Sequence, residues 1–400
     1  MNKILILIWF ICAAFVSRAQ LLTEEELQEK KEFTSLIEAY KSPEDVYILN
    51  LSSKDLKELP EDINKFVNLQ LLDVSKNDLI ELPPSITQLT NLQVLKVNDN
   101  ALYGLPEDIG MLINLKEFEL HKNKIKELPD SFCDLKLLTR LDVYVNKLSK
   151  LPENIGEMTE LKVIDLYVNE LSRLPASFAR LNNIESVYLA SNRFKRFPRQ
   201  LLALSNLAIV DISGNHIRRI PNEIGNLKNL EYVFMYDNKI RNLPSEIGNL
   251  QALREIDLSD NRIRKIPETL SQMKKLREVN MDYNRIRALP PCIVEMESIE
   301  SFHISSNKIK ALPENIGNMK TLQELTIDEN PITVLPESFF KLSGLRFLDL
   351  SGTSLYEVPS MIGLLYKLEY LNLGDLGLSP EQQNQIRSYM ERASSIEIVF

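Results

Sequence analysis

Four hundred residues carry 47 Lys and Arg against 56 Asp and Glu, a formal net charge of −9, and 44% of them are hydrophobic. An acidic total argues against nucleic acid as a partner. Beyond residue 20 no stretch approaches the ~20 consecutive apolar residues of a spanning helix, so the body of the chain is expected to carry no integral membrane segment.

The chain opens on Lys3, the apolar run Ile4 to Val16, and Ser17-Arg18-Ala19 as a small-x-small boundary before Gln20. This is the pattern of a secretory signal peptide over residues 1–19, cleaved near Ala19. Its apolar core is short for a span, and Trp9, Phe10 and Ile11 are too large to flank Cys12 as a lipid-attachment site. Cleavage removes Lys3 and Arg18, leaving 45 of the 47 basic residues against 56 acidic ones, a charge of −11. The mature chain is expected to be soluble, monomeric, and secreted or held in the cell envelope, whether periplasm or surface.

Residues 20–45 predict an N-terminal capping helix. Thr23 and Glu26 have the spacing of a capping box, and Leu27, Phe33, Leu36, Ile37 and Tyr40 follow as an apolar face. From residue 46 to 378 the chain repeats. An asparagine recurs every twenty-three residues at Asn77, Asn100, Asn123, Asn146, Asn169, Asn192, Asn215, Asn238, Asn261, Asn284, Asn307 and Asn330. Six residues after each comes a proline, and that phase continues outward to Pro60 and Pro359. One unit reads Leu69-x-x-Leu72-x-Val74-x-x-Asn77-x-Leu79-x-x-Leu82-Pro83-x-x-Ile86-x-x-Leu89.

The single alternating stretch in each unit, Leu72-x-Val74, is too small to bury its own apolar face, so neighbours must stack with their strands parallel at ~4.8 Å. The turn after each strand needs a buried side chain that both donates and accepts, and the asparagine amide does both. Lys54, Thr353 and Leu376 hold the same phase at the two ends. Lysine and leucine cannot supply the pairing and threonine supplies part of it, so the ladder is expected to stop there. Residues 379–400 predict the C-terminal cap: Ser379, Pro380 and Gln382 start a helix carrying Ile386, Tyr389 and Met390, and Ile396 to Phe400 read as a closing strand. No catalytic or anchoring domain is expected after it.

The asparagine phase and the Leu-Pro-x-x-Ile-Gly-x-Leu half of the unit together resemble the leucine-rich repeat family, most closely its 23-residue subclass of bacterial proteins and Ras-group scaffolds. The resemblance covers residues 46–378, about fourteen or fifteen repeats. It implies an α/β solenoid with a curved parallel sheet on the concave side, short helical, 3-10 or irregular segments on the convex side, and helical caps at both ends.

On such a stack Cys133 and Cys292 lie on the order of 30 Å apart, beyond the reach of a disulfide. Cys133 shares the phase of Gly110, Gly156, Gly225 and Gly248 and reads as a small buried filler, while Cys292 follows Pro290 and Pro291 on the outer arc. An exported chain without disulfides, and without the cysteine-rich caps of animal extracellular relatives, points by resemblance to a bacterial setting.

Charge is unevenly placed. One, three and four residues after the asparagines stand Lys124, Lys126, Lys147, Lys150, Arg173, Arg193, Lys195, Arg196, Arg218, Arg219, Lys239, Arg241, Arg262, Arg264, Lys265, Arg285, Arg287, Lys308 and Lys310, a basic ridge. The strand face beside it carries Asp142, Asp165, Asp211, Glu255, Asp257, Glu278, Asp282, Glu324 and Asp328. The two rows are expected largely to neutralise each other across the bend, with docking of an anionic partner as the alternative.

Outward strand positions must carry function, because the inward ones form the core. Tyr144 and Tyr167 share a phase, Tyr188 follows, Tyr232, Phe234 and Tyr236 stand together, and Tyr283 comes two coils later. Interleaved with Asp165, Asp211, Asp257 and Asp282, these aromatics have the composition of a partner-binding surface.

The best catalytic constellation is His303 beside Ser305, with Asp282 and Asp328 on flanking strands. It is poor: strand residues two apart stand ~6.5–7 Å from each other, and the ladder uses the amides an oxyanion hole would require. No nucleophile elbow, phosphate loop or paired-histidine zinc helix occurs. Asp142 and Asp165 make at most a loose calcium site. No enzyme activity, cofactor or metal is expected. The chain is expected to be a non-catalytic protein–protein interaction module that binds a macromolecular partner, first of all a protein, on its concave sheet. An envelope receptor for carbohydrate or peptide and a secreted effector engaging host proteins are the alternatives.

Overall fold

The computed structural model describes residues 21–391, 393 and 396–400, so the leader expected over residues 1–19 lies outside the described residues. The described chain builds one open, curved sheet of seventeen strands, each parallel to the next along the chain. From β3 (Leu71–Asp73) to β16 (Tyr370–Asn372) every strand is three residues long, and pairing shifts by one 23-residue unit, Leu72 opposite Leu95 and Val233 opposite Ile256. From β3 to β16 the middle residue of each strand points inward and is buried, as Leu72, Ile164, Val233 and Phe302 are. Its two neighbours point to the concave side, as strand alternation requires.

Three residues exhaust the strand because the chain must then turn to close the coil. Just before each ladder position the backbone takes left-handed φ, near +54° at Lys122 and +52° at Tyr283, with Gly214 and Gly352 filling the same place at +59°. The convex side is made of 3-10 turns of three to five residues, the five-residue ones entered through the repeat proline: Pro129 holds φ −65° and Pro221 φ −73°. That φ is what the pyrrolidine ring enforces, and the missing N–H is not required at a helix start. The glycine of Ile-Gly has a steric cause. A Cβ on Gly156 would sit 1.9 Å from the Ser177 carbonyl oxygen of the next turn. Between sheet and turns, the repeat leucines and isoleucines merge into a single continuous core.

Two hydrogen-bond ladders hold the stack. At Asn215 the side-chain amide donates to the carbonyls of Ile212 and Ser213 in its own coil and of Leu189 in the preceding one, while its oxygen accepts the Phe194 N–H at 2.9 Å. The same four-bond pattern recurs from Asn100 to Asn330. The residue after each asparagine forms the second ladder, donating its N–H to the preceding coil, as Lys239 does to Ile217. Both end at one place. Pro331 has no N–H to give, and the Thr353 hydroxyl donates only to Leu350 of its own coil, so the Ile332 N–H turns to Asn330 instead.

The N-terminal segment departs from the single amphipathic helix expected. Thr23 and Glu26 do form a capping box, but helix α1 (Glu24–Gln28) is five residues long and is followed by strand β1 (Glu32–Phe33) and helix α2 (Leu36–Ala39). β1 pairs with β2 (Ile48–Asn50), which buries Phe33 and covers the open edge of the sheet, something a helix cannot do by backbone bonding. Ile37, expected on the apolar face, is 79% exposed. At the other end Ser379 and Gln382 form the second capping box, opening helix α3 (Pro380–Tyr389). Ile386 and Met390 are buried there, and β17 (Glu397–Val399) closes the sheet against β16.

Candidate functional site on the concave sheet

Strand alternation and register place the singled-out residues in columns across the sheet. The third residues of β7 (Val163–Asp165), β8 (Ser186–Tyr188), β9 (Ile209–Asp211), β10 (Tyr232–Phe234) and β11 (Glu255–Asp257) are neighbours in sequence of strands: Asp165, Tyr188, Asp211, Phe234, Asp257. Carboxylate and aromatic ring alternate on five adjacent strands. Tyr232 begins β10 on the same face, half-buried like Phe234.

Two residues beyond each strand the column reads Tyr144, Tyr167, Ala190, Ser213, Tyr236. Ala190 and Ser213 are buried and small, so the sheet is notched between Tyr167, 43% exposed, and Tyr236, 40% exposed. Ser191 and Gly214 widen the notch on the turn side. The two phenols are close enough to feel each other: burial pushes the Tyr236 hydroxyl up, the Asp211 carboxylate and Tyr167 add to the effect, and the neighbouring Ser213 hydroxyl opposes it. Ala190, Ser213 and Gly214 did not stand out in the sequence. The signal was available in the two small residues that interrupt a tyrosine phase.

The aspartates have a second job. Asp211 accepts the Ser213 N–H at 2.9 Å and its hydroxyl at 2.5 Å, Asp257 treats Ser259 alike at 2.8 and 2.6 Å, and Asp165 accepts the Tyr167 N–H at 3.0 Å. One oxygen of each thus fixes the strand end, and the other oxygen of Asp257 accepts the Asn280 amide at 3.4 Å. Burial raises the carboxyls of Asp165, Asp211, Asp282 and Asp328 above their ordinary range. Neighbouring acids add to it, Asp142 on Asp165 and Asp257 on Asp211.

Other residues sit differently from the expected surface. Tyr144 lies flat on His121, ring centroids 4.3 Å apart, so one face of each ring is covered. Tyr283 is not on a strand: it occupies the left-handed turn position at the rim and is 60% exposed. Asp282 accepts the Ser305 N–H at 2.6 Å. The Ser305 hydroxyl donates to Asp328, and His303 Nδ1 lies 3.1 Å from Thr326 Oγ1, so the serine and histidine point to different partners. Asp142 and Asp165 are directly in register, yet Asp142 takes Arg140 at 3.4 Å and Asp165 holds its own turn. Among the described residues no group of three or more His, Cys, Asp or Glu could hold a metal. Cys133 is buried, and it and Cys292 are both free.

Among the described residues no ion pair joins the ridge to the strand-face acids, contrary to the expected neutralisation. Ridge cations that form ion pairs use glutamates of the edge and convex loops, Lys150 with Glu127 at 3.0 Å and Arg193 with Glu170 at 3.0 Å. The charges that raise Asp211, Glu255, Asp260 and Asp328 are other carboxylates, Asp257, Glu278, Asp237, Asp349 and Glu329, added to burial. The reason is distance around the bend: strand side chains project into the concave space, whereas the ridge projects past the ladder asparagines.

Leucine-rich repeat region and leucine-rich repeat families match residues 47–118 and 221–308, residues 90–148 and 297–355, and residues 206–227. A leucine-rich repeat protein of Leptospira interrogans is 31% identical over 93% of this chain and 100% of its own, with a TM-score of 0.78. The chain belongs to the leucine-rich repeat family. No curated protein compared with it gives a match. A plant peptide hormone receptor solved in complex with RGF2 is 26% identical to this leucine-rich repeat protein, with a TM-score of 0.65 over 88% of this chain and 66% of the receptor. An internalin of Listeria monocytogenes, 20% identical with a TM-score of 0.68 over 82% of this chain and 89% of its own, shares the fold. Among the described residues of the repeat protein no helix is long and apolar enough to cross a membrane.

Proposed function

We propose that this chain is an exported, non-catalytic recognition protein that captures a protein partner on its concave sheet, with the notch between Tyr167 and Tyr236 as the anchoring point. That notch is the observation that carries the reading. It offers two exposed aromatic walls, a floor of small residues, and the free oxygen of Asp211 beside them, so an inserted side chain loses water on three sides and still meets a hydrogen-bond acceptor. Tyr188, Tyr232 and Phe234 extend the apolar area over the neighbouring strands, and Asp165, Asp257 and Asp282 frame it with negative charge that favours a partner presenting Lys or Arg. Tyr144 and Tyr283 flank the footprint. The similarity to a plant peptide hormone receptor solved in complex with RGF2 supports a peptide segment of the partner as the element recognised. Export rests on the leader pattern of residues 1–19, and the solenoid of residues 46–378, built on the 23-residue subclass of repeat, is the binding domain between its two caps.

The test is capture with the mature chain and with Tyr232→Ala/Phe234→Ala. The partner retained by the wild type should be lost from the double variant while thermal stability stays nearly unchanged. Equal capture by both chains would remove the concave placement, and capture of glycans without any protein would favour a carbohydrate receptor instead.

A further inference from the structure

Past the ladder asparagines, on the opposite side of the bend from the notch, a groove of about 1160 Å³ is lined by Lys195, Arg196, Arg199, Arg218, Arg219 and Arg241. All six are exposed, and the floor is the buried apolar pair Phe197 and Ile220. Three residues after the asparagine, six consecutive coils carry a cation: Lys195, Arg218, Arg241, Arg264, Arg287 and Lys310. None of these six forms an ion pair among the described residues, and in the groove only Arg199 has a carboxylate, Glu223, at 3.0 Å. The acids of the strand face lie on the concave side, and those on this side, Glu223 in the groove and Glu268 beside Arg264 and Arg287, leave the row of six without an ion pair. A row of like charges held open in this way is destabilising by itself.

We infer that this groove binds a linear acidic polysaccharide lying across the coils, its carboxylate or sulfate groups meeting successive cations of the row. Parallel stacking repeats the cations at ~4.8 Å or slightly more, which suits a polymer bearing a fixed anion on each monomer. Four of the six are arginines, whose planar fork donates hydrogen bonds in pairs to such groups. An extended acidic peptide is out of step, because its same-face carboxylates recur at ~6.6 Å. A single-stranded nucleic acid would require exposed rings on which to stack bases, and the only ring in the lining, Phe197, is buried. A flat anionic membrane fits a protruding basic face with apolar residues to insert, not a recess with a buried floor. This site is independent of the concave notch, and each can fail without the other.

Calorimetry of the mature chain with a heparin oligosaccharide and with polygalacturonate tests the inference. At least one should bind, and binding should weaken about tenfold or more between ~0.05 and ~0.3 M salt. Arg218→Ser/Arg241→Ser should lower affinity about tenfold or more, as expected for lost charge-assisted bonds. Arg180→Ser/Lys320→Ser, off the groove, should leave it within about twofold. Tyr236→Ala should also bind the polymer normally. Absence of binding to both polymers, equal loss in the control variant, or tighter binding to phosphatidylserine vesicles than to either polymer would each overturn the assignment.

Discussion

Tyr167 and Tyr236 stand three coils apart in one phase of the repeat, and the small, buried Ala190 and Ser213 between them leave a gap in that column of rings, the notch. Nothing in the core depends on either phenol. Tyr236→Ala should therefore cost the partner complex about 2 kcal/mol or more, the scale of an aromatic anchor, while chemical denaturation shifts by no more than ~0.5 kcal/mol, the scale of a surface change. Calorimetric affinity and urea unfolding on the same variant check the two halves of that statement.

Ladder asparagines should behave oppositely. Asn215→Ala leaves the Phe194 N–H without its acceptor and removes one of the two amide donors to the Leu189 carbonyl, which keeps Asn192, and a buried group left unsatisfied costs about 1–3 kcal/mol. Thr353→Ala removes a single bond within one coil and should cost about 1 kcal/mol. Urea midpoints of the two variants should differ in that order.

How far the sequence foretold this architecture is visible in those same residues. The asparagine phase foretold the ladder and its failure at Thr353, because a fixed hydrogen-bond pattern admits few side chains. The N-terminal cap was misread, since a two-residue strand such as Glu32–Phe33 leaves no periodicity and exists only because the edge of β2 needs backbone partners. The aromatic face was legible as composition, but the notch was not: it arises from sheet curvature and from what Ala190 and Ser213 lack. Charge balance misled because proximity in sequence across the bend, as between Asp211 and Arg218, places side chains on opposite sides of the coil.

Packing of adjacent convex turns gives a third expectation. Gly156→Ala places a methyl where the Ser177 carbonyl and side chain already lie. Overpacking of this kind costs about 1–3 kcal/mol, so thermal unfolding should come earlier, while Gly104→Ala, with open space around its Cβ position, should not shift it downward.

Stability should depend on pH through the concave carboxylates. Burial first, then neighbouring acids, raise Asp165 and Asp211 in the folded chain, so the folded state holds protons more firmly than the unfolded one. These groups therefore favour folding when protonated, and that contribution is lost as pH rises from the ordinary carboxylate range, about 3.9, through their raised folded values. Asp165→Asn should raise the melting temperature at neutral pH and lose that advantage near pH ~3.5, below the unfolded value.

Thiol reactivity separates the two cysteines of the body. Burial pushes the Cys133 thiol up to about 12, whereas Cys292 is partly exposed and donates to the Glu268 carbonyl at 3.5 Å. Iodoacetamide at pH ~8 should modify Cys292 and spare Cys133 until the chain is denatured, since the thiolate is the reacting form. Peptide mass mapping would report both.

A photo-crosslinking amino acid placed in turn at residue 236 and at residue 226 probes the concave reading most directly. Tyr236 borders the notch, while Asn226 is exposed on the convex turn leading into the same strand. Covalent capture of the partner is expected from position 236 and none from position 226. Crosslinks from the convex position alone would contradict the concave reading.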